Sequence, residues 1–352
     1  MRSFEHNYLF DQPLNHSLLM AVRALGEFRG RQALYRDQFP EVLETLKKVA
    51  MIQSVESSNR IEGITVLPER LDAIVAKKTK PKGHSEQEVA GYRDVLSDIH
   101  TNAHKHSLSI DLILRWHKDM YKYAAEDAGI WKREDNAVIE ELEDGTKRIR
   151  FRTLPAAETP AAMVRLCDSY LDCIRAGTAE PLLAIASFVF DFECVHPFKD
   201  GNGRMGRLLT LLLLYNAGYE VGRFISLERV IEDSEETYYE TLLKSSQGWH
   251  EGEHDLRPWW GYFLGMLTAA YKEFEDRVGT LTSARGAKRE MVIGAIKRLP
   301  EEFSFSDLQR VCPGVSFATL KRALQDLKKQ KKIVSLGKGR DARWKRIGSS
   351  NH

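Results

Sequence analysis

Cysteine pairs and long apolar runs are the features this sequence most clearly lacks. Its 352 residues include four cysteines, and none forms the Cys-x-x-Cys pair that zinc and redox sites use. The longest apolar run, Leu208 to Tyr215, is too short to cross a bilayer. The first residues also lack the basic and apolar segments of a signal peptide. We therefore expect a soluble, cytoplasmic protein with no membrane partner, whose cysteines are small buried side chains.

Net charge is also nearly absent, yet the charges are unevenly placed. The chain carries +2 in total and is 43% hydrophobic, an ordinary globular composition. Residues 288–347 hold 16 Lys and Arg against 6 Asp and Glu, a local charge of +10, so the rest of the chain carries −8. A basic segment that follows an acidic body predicts two domains with different roles.

Helical periodicity dominates the body, which shows no internal repeat and no low-complexity tract. Apolar residues recur at spacings of three and four over residues 16–31, 39–58, 85–103, 110–125, 159–177 and 181–195. Residues 136–154 instead have two β-favouring arms around Asp144 and Gly145, which predicts a hairpin. From the residues alone, this hairpin is either an edge decoration or a flap over a site.

The C-terminal part has the element order of a winged helix-turn-helix domain. After a small polar linker at 277–287, three short helices precede two strands around a Gly-Lys-Gly-Arg turn. Cationic residues follow the third helix and the strands: Lys321, Arg322, Lys328, Lys329, Lys338, Arg340, Arg343, Lys345 and Arg346. Such charge suits the phosphates of a DNA duplex. The alternative is a domain that docks to a protein or to a second copy of the chain as a homodimer.

The most informative stretch is HPFKDGNGRMGR, residues 196–207, which leads into an apolar helix predicted to begin near Gly203. The two glycines on either side of Asn202, Gly201 and Gly203, allow the backbone to form a nest for an anion. The N-terminus of the following helix adds unpaired N–H groups and partial positive charge at the same place. This stretch therefore predicts an anion-binding turn.

Four polar side chains accompany this nest in the sequence. Arg204 and Arg207 are three residues apart on one face of the predicted helix, so two guanidinium groups could hold a polyphosphate. Asp200, beside that charge, predicts a bridging Mg²⁺, which prefers oxygen ligands. His196 ends the preceding helix and can accept a proton from a hydroxyl. Each residue alone has an ordinary structural explanation, but their joint occurrence favours a site.

These residues resemble the signature of the Fic family, H-P-F-x-D/E-G-N-G-R-x-x-R, at every defining position. The resemblance implies transfer of AMP from ATP, with Mg²⁺, to a Ser, Thr or Tyr hydroxyl of a target protein. It implies that His196 is the general base and Asp200 the metal ligand. It also implies that residues 201–203 form the anion hole and that Arg204 and Arg207 hold the outer phosphates.

The resemblance extends to two further segments. Residues 129–133 and the hairpin at 136–154 resemble the family's flap, which docks the target segment in extended form. Tyr238 and Tyr239 resemble the segment that forms the adenine pocket. Some relatives have an asparagine one turn later that recognises adenine, where this chain has a serine and a glutamine.

A second motif, SSNRIEGI, lies nearer the N-terminus. Ser58 and Glu62 are four residues apart and share a helical face, and Gly63 can end that helix in a left-handed turn. From the residues alone, Glu62 could be a helix-end acid near Arg60. The motif also resembles the Fic inhibitory motif, S/T-x-x-x-E-G/N. That resemblance implies that Glu62 pairs with Arg207 and leaves ATP bound with its α-phosphate turned away from attack.

Together these patterns predict a mainly α protein with a Fic-type helical core and one hairpin flap. We expect an N-terminal helical region over 1–95, the core over 96–276 and a winged helix-turn-helix over 283–347. The expected activity is autoinhibited AMP transfer, including transfer to the chain itself. Two alternatives stay open: a DNA-binding regulator whose core senses nucleotide, and a hydrolase that removes AMP with the help of Glu62.

Overall fold

The computed structural model describes residues 1–38, 40–125, 127–141, 146–279, 292–297, 299–312, 315–337 and 343–347. Its helices are α1 (Tyr8–Asp11), α2 (His16–Gln38), α3 (Pro40–Arg60), α4 (Pro68–Val75), α5 (Gly83–Asn102), α6 (Ile110–Tyr121), α7 (Thr159–Ala176), α8 (Pro181–Val195), α9 (Asn202–Asn216), α10 (Leu227–Glu232), α11 (Glu235–Ser246), α12 (Arg257–Gly279), α13 (292–297), α14 (Phe305–Val311) and α15 (Phe317–Lys329). Its strands are β1 (Ala137–Glu141), β2 (Lys147–Arg152), β3 (Glu302–Ser304), β4 (Ile333–Ser335) and β5 (Arg343–Arg346). The prediction of a mainly α protein with a hairpin in its body is confirmed.

The helices of the body follow the predicted periodicity closely, and α8 has the predicted bounds. The linker expected from residue 277 starts later, because α12 continues to Gly279. Residues 280–287 and the hairpin turn at Asp144 and Gly145 lie outside the described residues. In the ranges given above, no helix has both the length and the apolar character that a membrane crossing requires.

The centre of the body is α8, which is apolar along most of its length and buried on nearly all sides. Leu182, Phe188, Phe190 and Phe192 are fully buried, the pattern of a helix surrounded by other elements. Burial of each such side chain contributes roughly 1.5–3 kcal/mol. Helices α7, α9 and α12 pack against α8. Because α8 ends and α9 begins on either side of residues 196–201, this loop is held between two buried helices.

The C-terminal part has a hydrophobic core of its own, built from α13, α14, α15 and the adjoining strands. Strand β5 lies between β3 and β4 in an antiparallel sheet. Helix α14 starts with a capping box formed by Ser304 and Asp307. The element order agrees with the predicted three helices and two strands, with β3 as an additional strand. Lys338 and Arg340 of the predicted turn lie outside the described residues.

A buried carboxylate joins α3 to α10. Glu228, which is 1% exposed, accepts hydrogen bonds from Ser54 Oγ at 2.6 Å and from Tyr92 Oη at 3.0 Å. The hydroxyl of Ser226 donates to the same carboxylate at 3.2 Å. Helix α10 therefore holds the C-terminal half of α3, which leads directly into the SSNRIEGI motif.

Replacing Glu228 with alanine leaves the hydroxyl group of Tyr92 without its buried acceptor. Ser54 is left with the hydroxyl of Ser226, at 3.0 Å, as its acceptor. We expect the free energy of unfolding to fall by about 3 kcal/mol, since each buried unpaired polar group costs about 1–3 kcal/mol. Urea denaturation followed by circular dichroism measures this change. The control, Glu236→Ala, removes an exposed acid from α11 and should change stability by less than about 0.5 kcal/mol. Equal effects of the two substitutions would contradict this role for Glu228.

Candidate active site

The loop between α8 and α9 is closed by the side chain of Asn202. Its Oδ1 accepts a hydrogen bond from the backbone N–H of Phe198 at 2.8 Å, and its Nδ2 donates to the carbonyl of Phe198 at 2.9 Å. His196 and Gly201 have φ angles of 49° and 77°. Left-handed backbone is natural for glycine but costs a histidine about 1–3 kcal/mol. Surrounding contacts must therefore hold His196 in this conformation.

Lys132 supplies several of these contacts from the segment before the hairpin. Its buried Nζ donates to the carbonyl of Val195 at 2.9 Å, to Oγ1 of Thr153 at 2.9 Å and to Oδ1 of Asn136 at 2.7 Å. Its backbone N–H donates to the carbonyl of Pro197 at 2.8 Å. Burial lowers the pKa of Lys132 to about 8. This lysine lies in the flap-like segment at 129–133, and no pattern in the sequence indicates its contacts with the loop.

His117 on α6 supports the other end of the loop. Its Nδ1 accepts a hydrogen bond from the N–H of Gly129 at 2.9 Å, so the ring proton lies on Nε2, which contacts the carbonyl of Asp200 at 3.1 Å. The ring stacks on Phe198 with centroids 3.7 Å apart. Burial lowers the pKa of His117 to about 4, which keeps the ring neutral. No motif in the sequence singled out this residue.

His196 lines a cavity of about 780 Å³ between the hairpin, the start of α9 and α11. This volume is within the range of small-molecule sites, about 300–1,000 Å³. Burial, together with the positive charge of Lys132, lowers the pKa of His196 to about 4. The imidazole is therefore neutral near pH 7 and able to accept a proton.

Arg207 lines the same cavity and is already engaged by the SSNRIEGI motif. Its Nη2 donates to Oε1 of Glu62 at 2.8 Å and to the carbonyl of Ser58 at 2.9 Å, and its Nε donates to Oγ of Ser58 at 2.9 Å. Burial disfavours the charge on Arg207, but the Glu62 carboxylate outweighs that effect and raises the pKa above the ordinary arginine value. The guanidinium of Arg207 is therefore charged at physiological pH.

The position of Glu62 depends on two glycines. Helix α3 ends at Arg60, and Gly63 follows with a φ of 75°. The N–H of Ile64 donates to the carbonyl of Asn59 at 2.9 Å, which closes a Schellman turn. Glu62 thus reaches Arg207 from the turn rather than from the helix. A Cβ atom at Gly203 would overlap Oε1 of Glu62, so the carboxylate lies directly against the predicted anion nest.

Arg204 does not share the phosphate-facing position that its spacing from Arg207 predicted. Its guanidinium is 1% exposed and does not line the cavity. Nη1 lies 2.7 Å from Oε2 of Glu88 on α5, and Nη2 donates to Oη of Tyr121 at 2.6 Å. The ion pair with a buried acid of a different helix therefore holds the Arg204 guanidinium in the protein interior, where the arginine supports the loop.

Asp200 is the predicted metal ligand and remains accessible, with 72% of its side chain exposed. Its Oδ2 accepts a hydrogen bond from Tyr121 Oη at 2.8 Å, and its Oδ1 accepts from the N–H of Gly201 at 2.7 Å. Within the described residues, no cluster of three His, Cys, Asp or Glu side chains could hold a metal ion. A single exposed carboxylate still fits Mg²⁺, which commonly takes one or two carboxylates together with substrate phosphates and water.

Tyr238 and Tyr239 lie on α11 and line the same cavity as the hairpin strands. Their rings meet edge to face at 5.2 Å, and the guanidinium of Arg150 lies 5.4 Å from the Tyr239 ring. Burial raises the pKa of Tyr239 to about 12, so its phenol is neutral. Ser246 lines the cavity about two turns later. Flat neutral rings and a serine hydroxyl make this wall suited to a planar base.

The hairpin covers the cavity and exposes apolar side chains beside it. Ala137, Val138, Ile139, Arg150 and Phe151 line the cavity. A register shift between Val138 and Ile139 marks a bulge in β1, a common way of redirecting a strand near a site. Ile139 is 56% exposed although it is apolar. The structure thus brings the hairpin, His196 and Arg207 to one cavity, while Ser58, Asp200, Gly201 and Asn202 lie outside its lining.

Residues 107–214, from the start of α6 to the last turns of α9, match the model of the Fic/DOC family. The chain carries a Fic domain. Its sequence is similar to the protein adenylyltransferase Fic of Nematostella vectensis, with 26% identity over 219 residues, a match that covers 60% of this chain and 45% of that protein. A Fido domain-containing protein of Dictyostelium discoideum is 37% identical over 57 residues, which are 16% of this chain and 40% of that protein. Both matches cover less than half the length of these curated relatives.

The fold around the Fic domain is also shared with a solved structure. The crystal structure of a Fic family protein from Desulfovibrio desulfuricans G20 gives a TM-score of 0.62 at 23% identity and covers 97% of this chain and 98% of that chain. The likeness therefore extends beyond residues 107–214 to nearly the whole length of both chains.

We predict that His196 of the Fic domain stays neutral between about pH 5 and pH 8, where a free histidine titrates. Because burial lowers its folded pKa from 6.5 to about 4, its contribution to stability is present above pH 6.5 and is lost as the pH falls towards 4. The chemical shift of the His196 ring Cε1 measures the charge, with a histidine peptide as reference and His196→Ala for assignment. Protonation near pH 6.5 would contradict the prediction.

Proposed function

We propose that this chain transfers AMP from ATP to a hydroxyl side chain of a target protein and that Glu62 holds the transfer in an inhibited state. The observation that carries the proposal is the convergence on one cavity of a neutral His196, the guanidinium of Arg207 and the aromatic pair Tyr238 and Tyr239. The similarity to an adenylyltransferase supports the choice of AMP as the transferred group.

The chemistry assigns one task to each part of the cavity. The target hydroxyl oxygen forms a bond to the α-phosphorus of ATP, the bond from that phosphorus to the bridging oxygen breaks, and pyrophosphate leaves. His196 accepts the hydroxyl proton on the ring nitrogen that faces the cavity. The N–H groups at the start of α9 stabilise charge on the transferred phosphate. Asp200 would hold Mg²⁺ together with the phosphates, and the ion would neutralise charge on the leaving group.

Glu62 competes with the nucleotide for Arg207. The carboxylate lies 2.8 Å from Nη2 and beside Gly203, where a phosphate would meet both the arginine and the nest. Negative charge at this place repels the outer phosphates of ATP and leaves Arg207 unable to hold them. Release requires withdrawal of the segment after α3, and α10 holds the part of α3 that precedes this segment through the contact of Glu228 with Ser54.

The hairpin provides the docking surface for the target in this proposal. An extended segment can pair with a free strand edge, which fixes its register without requiring a particular sequence. Ile139 and Ile149 face each other across the two strands and are 56% and 48% exposed. A target segment that covers these two side chains would bring its hydroxyl residue past the mouth of the cavity at His196.

We predict that Glu62→Ala raises incorporation of labelled AMP at least tenfold, both into the chain itself and into proteins of a cell lysate. An ion pair worth about 1.4 kcal/mol is sufficient for a tenfold change in the productive fraction. The matched control is Glu56→Ala, which removes an acid of α3, six residues before Glu62, that pairs with Arg60 at 3.1 Å. This control should keep the activity of the unsubstituted chain.

Adding His196→Ala to the Glu62→Ala protein should abolish incorporation while ATP binding persists, because the histidine is a base and not a phosphate ligand. Incorporation that survives this substitution would reject the assigned base. If Glu62→Ala lowers the release of AMP from a modified target and does not raise incorporation, Glu62 acts in hydrolysis and the inhibitory role is wrong.

A second candidate function, DNA binding by the C-terminal part, is favoured by the exposed cations of α15. Lys321, Arg322, Lys328 and Lys329 are all exposed, and this part of the chain has its own core. Exposed lysine and arginine on one helix suit phosphate contacts, which position a protein on a duplex without reading its sequence.

We predict that the full chain binds duplex DNA with an affinity that falls steeply with salt, by about 0.9 in log affinity per log salt for each phosphate contact. Replacing Lys321 and Arg322 with alanine should flatten that slope by up to about 2. The same change at Arg115 and Lys118, exposed cations of α6, is the control and should leave the slope unchanged. Absence of binding at low salt would favour docking to a protein instead.

A further inference from the structure

Glu193 is a buried acid in the last turn of α8 that the transfer reaction described above does not use. It lines the cavity, and its Oε1 has no hydrogen-bond partner within the described residues. Its Oε2 lies 3.8 Å from Nδ1 of His196, and this Nδ1 likewise lacks a hydrogen-bond partner in the described part of the chain. The Glu193 carboxylate and the ring of the proposed base therefore face each other, and each carries one buried polar atom, Oε1 and Nδ1, without a hydrogen-bond partner among the described residues.

Such an arrangement is costly and calls for a specific explanation, since buried polar atoms are almost always hydrogen-bonded. Asp191, two residues earlier on the same helix, is hydrogen-bonded in the usual way. It accepts hydrogen bonds from Ser3 Oγ at 2.8 Å, from the N–H of Ser3 at 3.1 Å and from Trp249 Nε1 at 2.7 Å. Glu193 has no comparable set of donors, so a purely structural role accounts for Asp191 but not for Glu193.

The space for the Glu193 carboxylate is provided by Gly206. A Cβ atom at this position would overlap Oε1 of Glu193. The Fic signature leaves the residue at 206 open, so the need for glycine here comes from its neighbour and not from the signature. The glycine on α9 thus leaves room for the carboxylate of Glu193 on α8, which lies next to His196.

We infer that Glu193 is a positioning residue whose carboxylate accepts the Nδ1 proton of His196, which leaves Nε2 unprotonated and directed to the cavity. The partner of one ring nitrogen determines which tautomer a histidine adopts. In ligand-free enzymes such contacts are often long and shorten when the substrate binds, and a distance of 3.8 Å is of that kind. The consequence for catalysis rests on the proposed AMP transfer, whereas the tautomer itself does not.

A nearby negative charge favours the neutral form of Glu193 but the charged form of His196, and a nearby positive charge does the reverse. Burial raises the pKa of Glu193 to about 7; the nearby Arg207 lowers it and Glu62 raises it. On the histidine, Lys132 favours the neutral ring. The backbone carbonyl of Glu193, together with Glu62 and Asp200, favours the charged ring. Replacing the side chain of Glu193 leaves this carbonyl in place, so the substitution tests the carboxylate alone. When Glu193 is ionised it can only accept a hydrogen bond, and a neutral His196 then keeps its proton on Nδ1.

The test is the tautomer of His196, read from the ¹⁵N shifts of histidine-labelled protein without nucleotide, at about pH 8, above the pKa of Glu193. His196→Ala assigns the signal. We expect the Nδ1–H form in the unsubstituted chain and its loss in Glu193→Leu. The matched control Asp191→Asn changes another buried acid of α8 and should leave the His196 tautomer as it was. An Nε2–H form in the unsubstituted chain, or an Nδ1–H form that persists in Glu193→Leu, would overturn the inference.

A kinetic measurement tests whether the contact between Glu193 and His196 affects the rate of AMP transfer. In the Glu62→Ala background, Glu193→Leu should lower kcat for AMP incorporation on the order of tenfold or more, since general base catalysis contributes about 10²–10⁴-fold, and leave KM for ATP nearly unchanged. An unchanged kcat in the presence of the expected tautomer shift would overturn the positioning role. If Glu62→Ala shows no AMP transfer at all, the proposed function fails, and the tautomer experiment still decides the contact between Glu193 and His196.

Discussion

The side-chain amide of Asn202 holds both hydrogen-bonding groups of the Phe198 backbone, and the geometry of the site depends on this contact. It closes the loop between two buried helices, so the end of α8 and the start of α9 have a fixed relation. The strained backbone of His196 and the glycine turn at 201 are tolerable only because that loop cannot relax. Lys132 and His117 strengthen the same loop from outside, through its carbonyl groups. Two buried helices thus hold a short loop at the cavity, and several hydrogen bonds fix the conformation of that loop.

Two arginines of one helix serve this loop in different environments. Arg204 is enclosed with Glu88 and Tyr121 and has no access to the cavity. Arg207 is at the cavity wall, where Ser58 and Glu62 meet it from a separate part of the chain. Arg204 supports the loop from the protein interior. Arg207 lines the cavity, where the proposed nucleotide would compete with Glu62 for it. The difference arises because each arginine meets its own acid, one on α5 and the other after α3.

Sequence patterns predicted most of the body of this protein, because its helices are long and their apolar periodicity is strong. They also predicted the residues of the loop, since the motif is contiguous and each residue type has a clear chemistry. They failed where the decisive partner is distant in the chain. The spacing of Arg204 and Arg207 predicted a common direction, and only tertiary structure places Glu88 beside one of them. Glu228 on the short helix α10 and Glu193 at the end of an apolar helix carry no local signal, since their roles come from burial.

Under the proposed function, Gly203 limits the substitutions that could relieve inhibition and still allow nucleotide binding. The space beside its Cα is filled by the Glu62 carboxylate, and the proposed phosphate site uses the same space. Any side chain at this position would expel the carboxylate and would also fill the anion nest, so inhibition and substrate binding would be lost together. Under the proposed function, changes that remove only the inhibition would occur in the segment after α3 or in the attachment of α3 to α10. Control of the proposed transfer could therefore change separately from the motif, because Glu62 lies more than a hundred residues before it in the chain.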